Sequence, residues 1–271
     1  MFYQEPALQY EVTVEEPDPQ FGKLLQQAIG GQEGEMRVAL QYMFQAWALP
    51  PEYDEFRQLL METAAEELGH IEMLATAVTK NLRGADAQLD AEADQHPLGE
   101  SVMGGQNPRT LLSSGLSAMP VDSNGVPFTG GYVVASGHLA ADLYANVMAE
   151  STGRLLASRL YELTDDPGME EMLSYLIARD TMHQNQWLEA LDALDDPHPI
   201  PSSFPQEQEN QSVNYSFMST AREQQPDPEL PWTQGTSPDG KGEFEFMADQ
   251  PGGNVPTVPA PAPMLHSDPN E

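Results

Sequence analysis

Two pairs of residues in this 271-residue chain have the types and the spacing to hold metal ions, Glu67 with His70 and Asp180 with His183. On a helix, residues three apart share a face, so each pair would turn a carboxylate and an imidazole the same way and offer one ion two ligands from one helix. Taken singly, a Glu three residues before a His is weak evidence in a chain with 43 acidic residues. Two such pairs on separate long helices, with the lone Glu35 and Glu150 in the apolar stripes of two further helices, form a far more specific pattern. Four carboxylates and two imidazoles would then meet in one core, and no lysine or arginine lies on those stripes to pair with them. An unpaired buried carboxylate is costly. Two divalent cations would set four positive charges against at most four negative ones, with neutral imidazoles completing the ligand set. The pattern implies a dinuclear site, and ligand type alone leaves manganese and iron both open.

The elements that must position these residues are marked out by proline, which breaks helix interiors and restricts the residue before it. Every proline lies outside four windows, residues 20–49, 52–96, 128–166 and 168–196. Four helices are the simplest reading. Asp18-Pro19 and Asp166-Pro167 read as starts of the first and fourth, with Asp as cap and Pro in the first turn, and Arg83-Gly84 as the end of the second. Apolar periodicity gives each helix a core stripe around its candidate ligands: Ala28, Ala39 and Tyr42 with Glu35; Leu60, Thr63, Leu74 and Ala77 around Glu67 and His70; Leu143 and Val147 before Glu150; Met169, Leu173, Leu176 and Trp187 around Asp180 and His183. Short links make helices one and two, and helices three and four, antiparallel hairpins. The crossover 85–127 between them is long, rich in Gly, Ser and Pro, and carries a short helix near Arg109 to Leu116. That connectivity predicts an all-α, ferritin-like four-helix bundle over residues 1–194, with an extended N-terminal segment 1–18.

After residue 194 the texture changes, with 14 of the 24 prolines and 13 acidic against two basic residues. Tyr215, Phe217, Trp232, Phe244 and Phe246 are spread through this stretch, which predicts an ordered, mostly irregular C-terminal arm over 195–271 that packs on a neighbouring subunit.

Composition excludes several classes of function. Eleven basic against 43 acidic residues leave a formal charge of −32, which repels nucleic acid and anionic membranes. With no cysteine there is no disulfide, thiolate metal site, iron–sulfur cluster or cysteine nucleophile. No secretory leader or run of 18 apolar residues is present, and a soluble, cytoplasmic protein is expected.

Other residues stand differently against the same pattern. Tyr42, two turns beyond Glu35, either hydrogen-bonds a metal ligand or is a core aromatic. His138 falls on the third helix more than three turns before Glu150, too far to be a ligand. His96, His198 and His266 stand beside prolines or in loop-like sequence and are not ligand candidates. The glycines of Gly30-Gly31-Gln32-Glu33-Gly34-Glu35 either permit close helix approach or break the first helix. Glu33 and Glu66, next to chosen ligands, are expected to point elsewhere.

These residues resemble those of the manganese catalases, the non-haem, ferritin-like catalases. The resemblance runs nearly end to end through Gly30-Gly31-Gln32-x-Gly34-Glu35, Glu66-Glu67-x-x-His70-x-Glu72-Met73, Gly130-Gly131-Tyr132 with Ser136-Gly137, Glu150-Ser151 and Ala178-Arg179-x-Thr181-x-His183-Gln184. It continues in Asn214-Tyr215-Ser216, Asp239-Gly240-Lys241 and Leu265-His266. It implies two manganese ions per subunit, Glu35 and His70 binding one, Glu150 and His183 the other, and Glu67 bridging them. Asp180 is by this resemblance not a ligand but the carboxylate that hydrogen-bonds near the bridging solvent and moves protons, a place usually held by Glu. Some members carry an Arg immediately before the third-helix Glu, lining the access channel, and this chain has Ala149 there. Some bind calcium through two acids on the second helix and groups in the arm. Here those positions read Gln58 and Glu62, with Asn214 and Ser216. The implied activity is disproportionation of hydrogen peroxide in a homohexamer whose arms embrace neighbours. The alternatives are a diiron ferritin-like oxidase or peroxidase, and a structural, spore-coat-like or metal-storage relative.

Overall fold

The computed structural model describes residues 5–83, 108–194, 201, 204–219, 227–248, 251–257 and 259. The chain divides into two compact units, Met1–Ser203 and Phe204–Glu271. In the first, the helices are α1 (Pro19–Gly30), α2 (Glu35–Ala48), α3 (Asp54–Arg83), the short α4 (Pro108–Leu112), α5 (Leu139–Tyr161) and α6 (Pro167–Asp192). The chain has the ferritin-like helical fold, its bundle built from the broken α1–α2, α3, α5 and α6.

Helix ends follow the local chemistry. Asp18 accepts hydrogen bonds from the free amides of Gln20 and Phe21, and Asp166 from that of Met169, each with proline in the first turn. Asp166 also accepts from the backbone amides of Glu15 and Glu16, which ties the N-terminal segment to the start of α6. Lys80 donates to the Val12 carbonyl and holds the same segment along α3.

The first helix is broken between Gly30 and Glu35, so the expected single helix over that window is two. A Cβ at Gly30 would lie 2.5 Å from the Val121 backbone, and one at Gly34 would lie 2.7 Å from the Ala28 carbonyl oxygen. The chain can make the turn only where side chains are missing. Gly34 then becomes the N-cap of α2, and Glu35 opens that helix.

The expected stripes face the core: Ala39, Tyr42, Leu60, Leu74, Ala77, Leu143, Leu173, Leu176 and Trp187 are buried. Between α2 and α5 the interior is polar but paired. Asn146 joins Gln41 and Gln45, and those two glutamines hold the amide and carbonyl of Val134. This fixes the stretch that leads into α5.

In the second unit, β1 (Ser216–Met218), β2 (Gly235–Thr236) and β3 (Glu243–Met247) form a small sheet in the order β1-β3-β2, with Phe217 opposite Phe246. Tyr215 donates to Asp239, which also accepts from Ser237 and Gln206 and so closes the turn before β3. Among the described residues no helix is long and apolar enough to cross a membrane. The crossover residues 84–107, His96, His198 and Leu265-His266 lie outside the described residues.

Candidate metal centre

Four helices bring the candidate ligands to one place. Glu35 is the first residue of α2, Glu67 and His70 lie in the middle of α3, Glu150 in α5, and Asp180 and His183 in α6. Glu67, His70 and His183 are fully buried, and Glu150 and Asp180 nearly so. The Glu67 carboxylate reaches both imidazoles. Its Oε2 lies 2.6 Å from His70 Nδ1, and its Oε1 lies 2.8 Å from His183 Nδ1. Glu35 approaches His70 Nδ1 to 3.8 Å, and Glu150 approaches His183 Nδ1 to the same distance. The two rings stack with centroids 5.8 Å apart.

Two groups able to hold a cation result, Glu35–Glu67–His70 and Glu67–Glu150–His183, and Glu67 belongs to both. Neither Glu67 oxygen and none of the four ring nitrogens of His70 and His183 makes an aligned hydrogen bond. Buried atoms of this kind, close together yet without hydrogen bonds, fit a cation on each side of Glu67. Asp180 joins neither group, so the structure does not put it among the atoms that converge with His183 Nδ1.

The supporting residues are only partly those expected. Tyr42 donates to Oε1 of the candidate ligand Glu150 and is also a fully buried core aromatic packed against Trp187. Trp187 Nε1 donates to the same oxygen at 3.3 Å. Glu66 departs from expectation. It turns toward the site, with Oε2 3.2 Å from His183 Nε2 and Oε1 3.7 Å from His70 Nε2. Arg179 closes its far side, Nε donating to Oε1 at 2.6 Å and Nη2 to Oε2 at 3.3 Å. Both rings therefore face Glu67 with Nδ1 and Glu66 with Nε2. The four-residue spacing of Glu66 and His70 carried this signal, because i and i+4 also share a helix face.

The charges balance poorly without a cation. Burial, and then the Glu67 charge, pushes Glu35 and Glu150 each up to about 8. Burial, with Glu35 and Glu67 beside it, raises Asp180 well above the usual carboxylate range. Burial pushes Glu67 the same way, but His70 and His183 outweigh it and hold Glu67 at about 2. His183 is raised to about 10 by Glu66 and Glu67 against the opposing effect of burial, and His70 also rises. Protons fill the role that divalent ions would take.

The remaining candidates stand apart. His138 is not on α5 but caps it, Nδ1 accepting from the Ala141 amide, because the helix begins at Leu139, well inside the expected window. The Glu33 carboxylate accepts from Gln27 and belongs to neither cation group. Glu62 pairs with Gln58 on an exposed face of α3, Gln58 donating at 2.7 Å, so that pair carries one carboxylate. Asn214 and Ser216 lie in the other unit.

Comparison with known proteins finds similarity along nearly the whole chain. The family described as manganese containing catalase matches residues 1–270. The chain is 42% identical to a manganese catalase of Bacillus subtilis strain 168 over 275 residues, covering 98% of each chain. It is also 42% identical over 270 residues to a second manganese catalase from Bacillus subtilis, again with 98% of each covered. The crystal structure of KatB, a manganese catalase from Anabaena, superposes with a TM-score of 0.73 at 25% identity, covering 92% of this chain and 100% of that one.

Proposed function

The chain belongs to the manganese catalase family, and on that premise we propose that it disproportionates hydrogen peroxide at two manganese ions per subunit, bridged by Glu67. The observation that carries this reading is the Glu67 carboxylate, which sends one oxygen to each histidine. Glu35 and His70 complete one binding group, Glu150 and His183 the other.

Bound there, the ions supply a two-electron couple between the II,II and III,III states, which passes two electrons from one peroxide to another. The balance is two hydrogen peroxides to two waters and one dioxygen. Peroxide reduced to water takes up two protons, and peroxide oxidised to dioxygen releases two. Asp180, whose carboxyl is raised above the usual carboxylate range by its burial beside Glu35 and Glu67, is placed to give and retake one of these protons. Glu150 is held by Tyr42 and Trp187 through Oε1, the oxygen that approaches His183 Nδ1, which fixes the orientation of the carboxylate. Glu66, anchored by Arg179, faces the outer nitrogens of both histidines, which favours a proton there and leaves Nδ1 for a cation.

The homohexamer, with residues 195–271 on a neighbouring subunit, is part of this proposal, and light scattering of the full chain tests it. Calcium is not part of it, since Glu62 brings a single carboxylate. The activity is tested by oxygen evolution from hydrogen peroxide with bound metal counted on the same sample. Rapid evolution from manganese-loaded protein is expected. No evolution from protein carrying two metals per chain, or oxygen uptake with ferrous ion, would overturn the reading in favour of storage or diiron chemistry.

A further inference from the structure

A cavity of about 10 Å³ lies on the carboxylate side of the site, bordered by Glu35, Glu150, Asp180, Ala149, Gly153 and Glu33. It has room for about one water-sized molecule. Ala149 in its lining is buried, whereas Gly153, one turn along α5, and Glu33 are partly exposed, so the solvent-nearest part of its lining includes Gly153 and Glu33.

Gly153 sits inside α5, where glycine is the least favourable residue after proline. The other glycines inside helices of the described residues have steric reasons. An added Cβ would lie 3.1 Å from Asn81 at Gly22, 2.0 Å from Gln9 at Gly69 and 2.1 Å from Thr13 at Gly168. At Gly153 the nearest atoms are the Glu33 carbonyl oxygen at 3.4 Å and Asp180 Oδ2 at 3.9 Å, ordinary contact distances. Packing does not require glycine here, and the space it leaves lies directly over the Asp180 carboxylate.

We infer that Gly153, opposite the Glu33 carbonyl, keeps open a narrow entrance to Asp180, Glu35 and Glu150 that passes a molecule the size of hydrogen peroxide and not bulkier organic hydroperoxides. The inference rests on the catalase reading.

The test uses manganese-loaded Gly153→Ala and Gly153→Val, with metal content and Tm measured beside two rates: peroxide turnover, and association of azide followed by the metal's absorption. Both variants are expected to keep their metal and to unfold no lower than the parent, the alanine variant slightly higher. The valine should lower kcat/KM for peroxide and the azide association rate by at least about tenfold, and the alanine by less. Unchanged rates in metal-replete Gly153→Val would overturn the inference, as would tert-butyl hydroperoxide being consumed by the parent protein as fast as hydrogen peroxide. If the valine variant does not fold, the alanine variant decides: azide association as fast as the parent's overturns the inference, and slower association supports it. If the parent binds azide but releases no oxygen, the catalase reading fails, and slower azide association in the variants still supports the entrance.

Discussion

The Glu66 carboxylate faces the outer nitrogen of His183, Oε2 lying 3.2 Å from Nε2, while the neighbouring Glu67 faces the inner nitrogen of the same ring at 2.8 Å. One imidazole is thus held from both sides by consecutive residues of α3. His70 repeats the arrangement at 3.7 Å and 2.6 Å. A carboxylate that faces the outer nitrogens of two candidate ligands favours the proton on that side of each ring.

Glu66→Gln is therefore expected to weaken manganese binding by about 10- to 100-fold, read by competition with a chelator. Arg179→Ala should act in the same direction and less strongly. Affinity in Glu66→Gln equal to that of the parent would show that the two histidines need no outer partner.

Asp180→Ala should keep both metal ions while turnover falls by about a hundredfold, the scale of a lost positioned proton donor. Metal analysis beside oxygen evolution checks this. Loss of one metal equivalent would instead make Asp180 a ligand.

His70→Ala is expected to lose metal and turnover together. His138→Ala should keep both, because His138 caps α5, and should cost no more than about 1 kcal/mol in thermal unfolding. Equal metal loss in the two variants would contradict the site.

Metal-free protein should lose stability as pH rises. Glu35 and Glu150 stand at about 8 in the fold against an ordinary 4.5, and His183 at about 10 against 6.5. Each binds its proton more tightly folded than unfolded. Their contribution is complete below the ordinary values and is lost as pH climbs toward 8 and 10. Glu67, held near 2, acts oppositely and only below its ordinary 4.5. Calorimetry at about pH 5.5 and about pH 8.5 should show a lower Tm at the higher pH without metal, and a smaller difference with manganese bound. A metal-free Tm that rises over this interval would refute the charge assignment.

Much of this was legible from residue spacing. Proline positions and apolar periodicity marked the long helices, and Glu-x-x-His with Asp-x-x-His picked out the faces that meet. The start of α2 was legible only as an alternative, because the pressure for glycine at 30 and 34 comes from Val121 and Ala28, contacts that exist only in the fold. Glu66 was misread for a simpler reason: attention to three-residue spacing hid its four-residue partner, His70. Arg179 was out of reach, since its partner lies 113 positions away on another helix. The cavity at Gly153 likewise depends on α5 and the Gly30–Glu35 break coming together, which no local pattern encodes.

Anomalous diffraction at the manganese edge, on crystals of manganese-loaded protein, tests the shared carboxylate most directly. The account predicts two peaks per chain, one among Glu35, Glu67 and His70 and one among Glu67, Glu150 and His183. A single peak, or a pair in which Glu67 ligates only one ion, would contradict it.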